Sequence, residues 1–261
     1  MQIVIKKDPT AATALVARII SLEIRKNPSC VLGLATGRTM EALYEVLVGE
    51  HRDHGLDFSL CRTFNLDEYV GLPTHDGNSY RSYMNRHLFT RVNIDMRNTH
   101  VPDGVAADLE AECARYEALI KKYGGVDLQL LGLGRAGHIG FNEPLSALRS
   151  MTRVKALTPE TIAQNSPLFG GAEMPRLAIT MGVGTILEAK KLIMLVTGSE
   201  KAGILHKAVE GPITSMVTAS ALQLHPHCTV VVDEAAAASL EEKDYYRWIF
   251  DNDPEWEPFR R

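Results

Sequence analysis

The chain has 261 residues, enough for one large domain or two small ones. Its hydrophobic share of 45% and charged share of 23% are those of an ordinary globular protein, which excludes disorder as the main state. A formal net charge of −4 argues against a nucleic-acid surface, which shows as a basic excess, but leaves room for a pocket that binds a small anion.

The opening Met1-Gln2-Ile3-Val4-Ile5-Lys6-Lys7 puts its charges after a very short apolar run, the reverse of a secretory leader. No apolar stretch approaches the ~18 residues that cross a bilayer. The expectation is a cytoplasmic chain with no membrane contact. Ile3 to Ile5 reads as a strand, and Pro9-Thr10 opens a helix with Leu15, Val16, Ile19 and Ile20 on one face. Cys30-Val31-Leu32-Gly33-Leu34-Ala35 is a continuous apolar run, as in a strand buried on both faces. It ends in Thr36-Gly37-Arg38-Thr39 and passes into a helix through Glu41 to Leu47. Thr63 to Leu66 is strand-like and stops at Asp67-Glu68. Leu109, Cys113, Tyr116 and Ile120 mark a helix closed by Gly124-Gly125. Val126 to Leu131 is the next buried strand, followed by Gly132-Leu133-Gly134. Leu192 to Val196 and Thr229 to Val232 complete the strands, and Tyr245 to Trp248 suggests a packed C-terminal helix.

This alternation predicts the α/β class: an open, mostly parallel sheet with helices on both faces. No repeat, low-complexity tract or linker divides the chain, so one domain over residues 1–261 is expected. Cys30, Cys61, Cys113 and Cys228 show no CxxC spacing and read as reduced and mostly buried. His225-Pro226-His227-Cys228 makes a poor tetrahedral metal set and reads as a turn before the last strand. Glu241 to Asp244 reads as a solvated face.

In such a sheet ligands bind outside the carboxyl ends of the strands, so the residues at those ends are the candidates for chemistry. Thr36-Gly37-Arg38-Thr39 offers hydroxyls, backbone amides and a helix N-terminus suited to a phosphate, although an ordinary strand-to-helix turn looks the same. It is neither a Walker loop nor a GxGxxG, and nothing else points to a nucleotide. Asp67-Glu68 is either a cap on the next element or a carboxylate base, and nothing local decides. His138 is flanked by Gly137 and Ile139-Gly140, where backbone can approach a ligand, and Glu143 follows within reach of the imidazole. That setting favours catalysis over a structural histidine.

Taken together, the chain resembles the glucosamine-6-phosphate deaminase family. The matching stretches are Leu32 to Gly37, Phe64 to Leu72, Gly137 to Pro144 and Ser220 to His227, in family order. The resemblance implies a Rossmann-like fold and a conversion of glucosamine 6-phosphate into fructose 6-phosphate and ammonia without cofactor or metal. It implies that His138 assists opening of the sugar ring with Glu143 behind it, and that Asp67 moves the C2 proton to C1. Thr36, Gly37, Arg38 and Thr39 would cradle the phosphate, and Lys201 matches a family lysine that contacts it. The expected partner is a small amino-sugar phosphate. A homo-oligomer stays open, since the oligomeric state varies within the family.

The chain departs from the family pattern at three places. Ala136 stands where Asp or Asn normally helps to orient the histidine, and ring opening is the step affected. Pro167 replaces an arginine that normally reaches the phosphate, and Arg38 replaces a small residue in the turn. Arg38 could supply the missing guanidinium from the other side of the pocket. Ser146, Arg153 and Lys155 agree with an allosteric site of some members, whereas Ala156 replaces their threonine. Two other functions compete: a phosphosugar-binding regulator with little turnover, and a 6-phosphogluconolactonase-like hydrolase, which shares the fold but has no need of a C2 base.

Overall fold

The computed structural model describes residues 1–260. Ten strands alternate with helices along the chain. The strands are β1 (Gln2–Lys6), β2 (Val31–Leu34), β3 (Arg62–Asn65), β4 (Asp67–Tyr69), β5 (Thr99–His100), β6 (Leu128–Gly132), β7 (Arg153–Ala156), β8 (Leu177–Thr180), β9 (Leu192–Val196) and β10 (Cys228–Asp233). The α-helices are α1 (Pro9–Lys26), α2 (Arg38–His54), α3 (Tyr80–His87), α4 (Leu109–Lys122), α5 (Pro159–Asn165), α6 (Val183–Leu187), α7 (Ala202–Val209) and α8 (Lys243–Asn252).

Seven strands form one parallel sheet in the order β1-β10-β9-β6-β2-β3-β5. Its central strands read as apolar runs because both faces are covered: β2 and β9 are buried along their whole length. The helices around it carry local start and stop signals. Asp8 caps α1 through the Ala11 amide with Pro9 in the first turn, and Asp108 caps α4 through Glu110 and Ala111. The predicted α/β fold is the one observed, with strand boundaries shifted by a residue or two; the strand expected from Val126 begins at Leu128, and that expected over Thr63 to Leu66 runs from Arg62 to Asn65.

The sequence reading missed a second sheet. Asp67 does not end its strand segment; it starts β4, which pairs antiparallel with β8, and β8 pairs antiparallel with β7. The Leu66 amide still donates to Leu34 O, inside the parallel sheet, while Leu66 O accepts from the Met181 amide. Residue 66 is therefore the joint between the two sheets. A separate apolar cluster of Tyr69, Phe141, Leu157, Phe169, Met174 and Ala178 fills the smaller sheet's side of that joint.

The four cysteines are free and buried, as expected. His225-Pro226-His227 is the turn expected before the last strand: the His225 ring is buried, with Nε2 at 2.8 Å from Ala189 O, and β10 starts at Cys228. Among the described residues, no helix is long and apolar enough to cross a membrane.

Candidate active site

The chain reverses direction across the sheet between β2 and β6: β2 leads outward to β3, while β6 leads the other way to β9. A crevice opens at the carboxyl ends of strands at such a reversal. Here it is a cavity of about 430 Å3 lined by the segments after β2, β3, β6 and β9. Thr36, Gly37, Arg38, Thr39, Asp67, His138 and Lys201 all line it, so residues far apart in sequence meet as the topology requires. Glu143 does not line the cavity but stands behind His138.

At one end lie the titratable side chains Asp67 and His138. Asp67 is only 6% exposed, and burial, reinforced by the neighbouring Glu68 charge, pushes its carboxyl up to about 8. Gly140 brings backbone against it: a Cβ there would lie 3.3 Å from Asp67 Oδ2 and 2.9 Å from Thr180 Oγ1. The other carboxylate of the pair does a different job. Glu68 accepts from the amides of Tyr69 (2.8 Å), Tyr80 (2.9 Å) and Arg81 (3.0 Å), so it binds β4 to the first turn of α3. Burial raises Glu68 to about 7 against these amides, which favour its charge. The two readings of Asp67-Glu68 thus divide between its members: Glu68 is the cap, and Asp67 is the carboxylate that faces the cavity.

His138 Nδ1 lies 3.1 Å from Glu143 Oε2, with the two side chains 13% and 3% exposed. Burial works against the Glu143 charge, but His138, the Thr161 hydroxyl and the Thr158 amide outweigh it and hold the carboxyl down at about 2. A carboxylate only accepts, so the tautomer that suits this contact carries its proton on Nδ1 and leaves the Nε2 lone pair free. The ring is seated on Gly134, where a Cβ would lie 2.1 Å from His138 Nε2. The loop closes through the Gly134 amide to His138 O (2.9 Å) and the Gly137 amide to Gly134 O (3.0 Å). Gly134 therefore has to be glycine for the ring to occupy this place.

The other end of the cavity is built for an anion. Helix α2 begins after Gly37, which offers no capping side chain, so the first-turn amides of a 17-residue helix face the cavity. Thr36 and Thr39 add hydroxyls beside them. Lys201 reaches across to β6, where Nζ donates to Leu133 O at 2.8 Å. Burial lowers its ammonium below the usual lysine range; Glu200 opposes this, and Arg135 adds to it. Arg38 and Arg135 are both exposed at the rim. Arg135 was not among the sequence candidates, although its place beside the His138 loop was the available signal. Pro167 lines the cavity without offering a donor. Among the regulatory candidates, Ser146 is 2% exposed, and Arg153 donates to Asn142 Oδ1 at 2.8 Å, which ties β7 to the His138 loop.

Known proteins resemble this chain in sequence and in fold. Residues 9–232 match the family model described as glucosamine-6-phosphate isomerases/6-phosphogluconolactonase. A glucosamine-6-phosphate deaminase of Shewanella loihica is 49% identical over 250 residues, covering 95% of this chain and 93% of the relative. One from Streptomyces coelicolor is 46% identical over 259 residues, covering 98% and 99%. A solved monomeric glucosamine-6-phosphate deaminase superposes with a TM-score of 0.89 at 41% identity, covering 92% of this chain and 100% of that one. The 6-phosphogluconolactonase of Trypanosoma cruzi, at 22% identity and a TM-score of 0.74 over 92% and 96% of the two chains, shares the fold. By sequence over nearly its whole length, the chain belongs to the glucosamine-6-phosphate isomerase/6-phosphogluconolactonase family.

Proposed function

We propose that this protein is a glucosamine-6-phosphate deaminase that uses Asp67 as the carbon base and His138 as the ring-opening group. The observation that carries the reading is the single cavity with a buried, proton-hungry carboxylate at one end and an uncapped helix N-terminus with cations at the other. A lactone hydrolase needs the anion end but has no use for a carboxylate poised near 8.

The phosphate sits on the α2 amides with Thr36, Gly37 and Thr39, and Lys201, Arg38 and Arg135 balance its charge. Nε2 of His138 takes the proton of the anomeric hydroxyl and returns one to the ring oxygen as the C1–O5 bond breaks. The imidazole ends this step as it began. Asp67 then removes the proton from C2 while the substrate's ammonium passes a proton to O1, giving an enolamine, and Asp67 delivers its proton to C1. Protonation at C1 leaves an iminium at C2, where water adds and ammonia leaves, producing the ketose. This sequence asks for neither metal nor cofactor. The partner is a small amino-sugar phosphate, and the reduced, buried cysteines suit a cytoplasmic setting.

The test is ammonia release from glucosamine 6-phosphate by the purified protein, with Asp67→Asn alongside. Release that disappears in the variant is the expected result. Tight phosphosugar binding without release would make the protein a sugar-phosphate-binding regulator, and hydrolysis of 6-phosphogluconolactone instead would make it a lactonase.

The arginines at the rim are tested separately. Arg38→Ser and Arg135→Met are each expected to raise KM about tenfold, with kcat within a factor of two, because each removes a charge-assisted contact to a group remote from the reacting carbons. An unchanged KM in Arg38→Ser means that Arg38 does not stand in for the guanidinium missing at Pro167.

A further inference from the structure

The Glu143 carboxylate is shared between two parts of the molecule. Its Oε2 faces His138 Nδ1 at 3.1 Å, and its Oε1 faces helix α5. The Thr161 hydroxyl donates to Oε1 at 2.5 Å, and Thr158 places its hydroxyl at 3.2 Å and its amide at 3.5 Å from the same oxygen. Thr161 is 4% exposed and does not line the cavity, whereas Gln164 and Asn165 at the other end of the same helix do. With alanine at 136, the residue two before His138 offers the imidazole no side-chain acceptor. What aims Nδ1 is Glu143, and what aims Glu143 is α5.

We infer that Thr161 is a positioning residue for His138, acting through Glu143, and that it supplies from the helix over the cavity the orientation that Ala136 cannot. The inference rests on the deaminase reading for its kinetics but not for its geometry. Without the Thr161 hydroxyl, Glu143 keeps only the longer contacts to Thr158 on Oε1. A buried carboxylate with fewer donors rotates or takes up a proton, and either change frees Nδ1 to lose its hydrogen to Nε2. An imidazole protonated on Nε2 presents a donor where ring opening needs an acceptor.

Thr161→Val keeps the shape and removes the hydroxyl, and Thr161→Ser keeps the hydroxyl and removes the methyl. The valine variant is expected to lose about ten- to a hundredfold in kcat with KM within twofold, the size seen when a group orienting a histidine is removed. The serine variant is expected to recover to within about threefold of the parent. If the valine variant does not fold, Thr161→Ala carries the same comparison. Unchanged kcat in the valine variant overturns the inference. So do equal losses for valine and serine, which mean packing, and a rise in KM alone, which means that α5 acts on the substrate directly. Nitrogen NMR of the imidazole in the free protein gives a readout independent of turnover. The parent should show the proton on Nδ1, and the valine variant should show a growing share on Nε2. If the parent releases no ammonia, the deaminase reading fails while this spectrum still decides the role of Thr161; identical spectra in parent and variant overturn it.

Discussion

Asp67 was legible as a residue with chemistry because it follows a strand end, yet its difference from Glu68 was not. Only the folded chain shows that three amides converge on Glu68 and that Asp67 faces the cavity. Its raised carboxyl, at about 8, makes two expectations. The first is that kcat/KM climbs with pH along a limb centred near 8 as the base loses its proton. The second concerns stability. A carboxyl whose folded value of about 8 lies above its ordinary 3.8 contributes stability that is complete below about pH 4 and is lost as pH rises through 8. Asparagine has no such loss. Urea unfolding should find Asp67→Asn more stable than the parent by at least about 1 kcal/mol at pH 8, and equal to it at pH 4. A parent as stable as the variant at pH 8 means that Asp67 is already ionised at neutral pH. His138 and Glu143 were legible as a pair because they share one short loop. Thr161 was not, since a threonine 18 residues beyond Glu143 carries no local mark of its partner. The seat on Gly134 was hidden for a similar reason: the sequence shows a glycine, but not the ring lying over it. Gly134→Ala should displace that ring and cut kcat at least about tenfold, with phosphosugar binding retained in calorimetry.

At the scale of elements, the parallel strands announced themselves as apolar runs because both of their faces are buried. The antiparallel sheet did not. Its first strand has three residues, and β7 has no fully buried position, so neither carries a periodic signal. Besides the apolar cluster around Tyr69 and Phe141, polar contacts hold that sheet to the rest. Glu68 fastens β4 to α3, and Asn142 donates to Met181 O at 2.8 Å while accepting from Arg153. Glu68→Gln leaves one oxygen for amides that now share two, so one buried donor loses its partner. The expected cost is about 1–3 kcal/mol, read as a lower urea midpoint with an unchanged m-value. A midpoint equal to the parent's means that water reaches the first turn of α3.

For the molecule as a whole, the order of the strands decides where a ligand sits, and that order cannot be read from the strands one at a time. The sequence could place the cavity only by rule, at the carboxyl ends; the adjacency of β2 and β6 made it specific. A ligand held in this crevice contacts segments that unfold together, so binding should report on global stability. Glucosamine 6-phosphate at a hundredfold its Kd adds about 2.7 kcal/mol, or about 5–10 °C in Tm for a chain of this size. Asp67→Asn is the protein in which to measure it, because the sugar is bound but not consumed.

The joint at Leu66 has a mechanical meaning. Points on a rotation axis stay still while points far from it sweep an arc. Asp67 is the first residue past the line where one sheet passes into the other, and α5, which follows β7 in the chain, packs back on β4 through Asn165 Nδ2 to the Tyr69 hydroxyl at 3.2 Å. Any rotation of the smaller sheet about that line moves Asp67 least, because Asp67 lies at the line itself. The carboxylate proposed as the carbon base therefore sits where the two sheets are fastened to each other, the place least disturbed by strain in either.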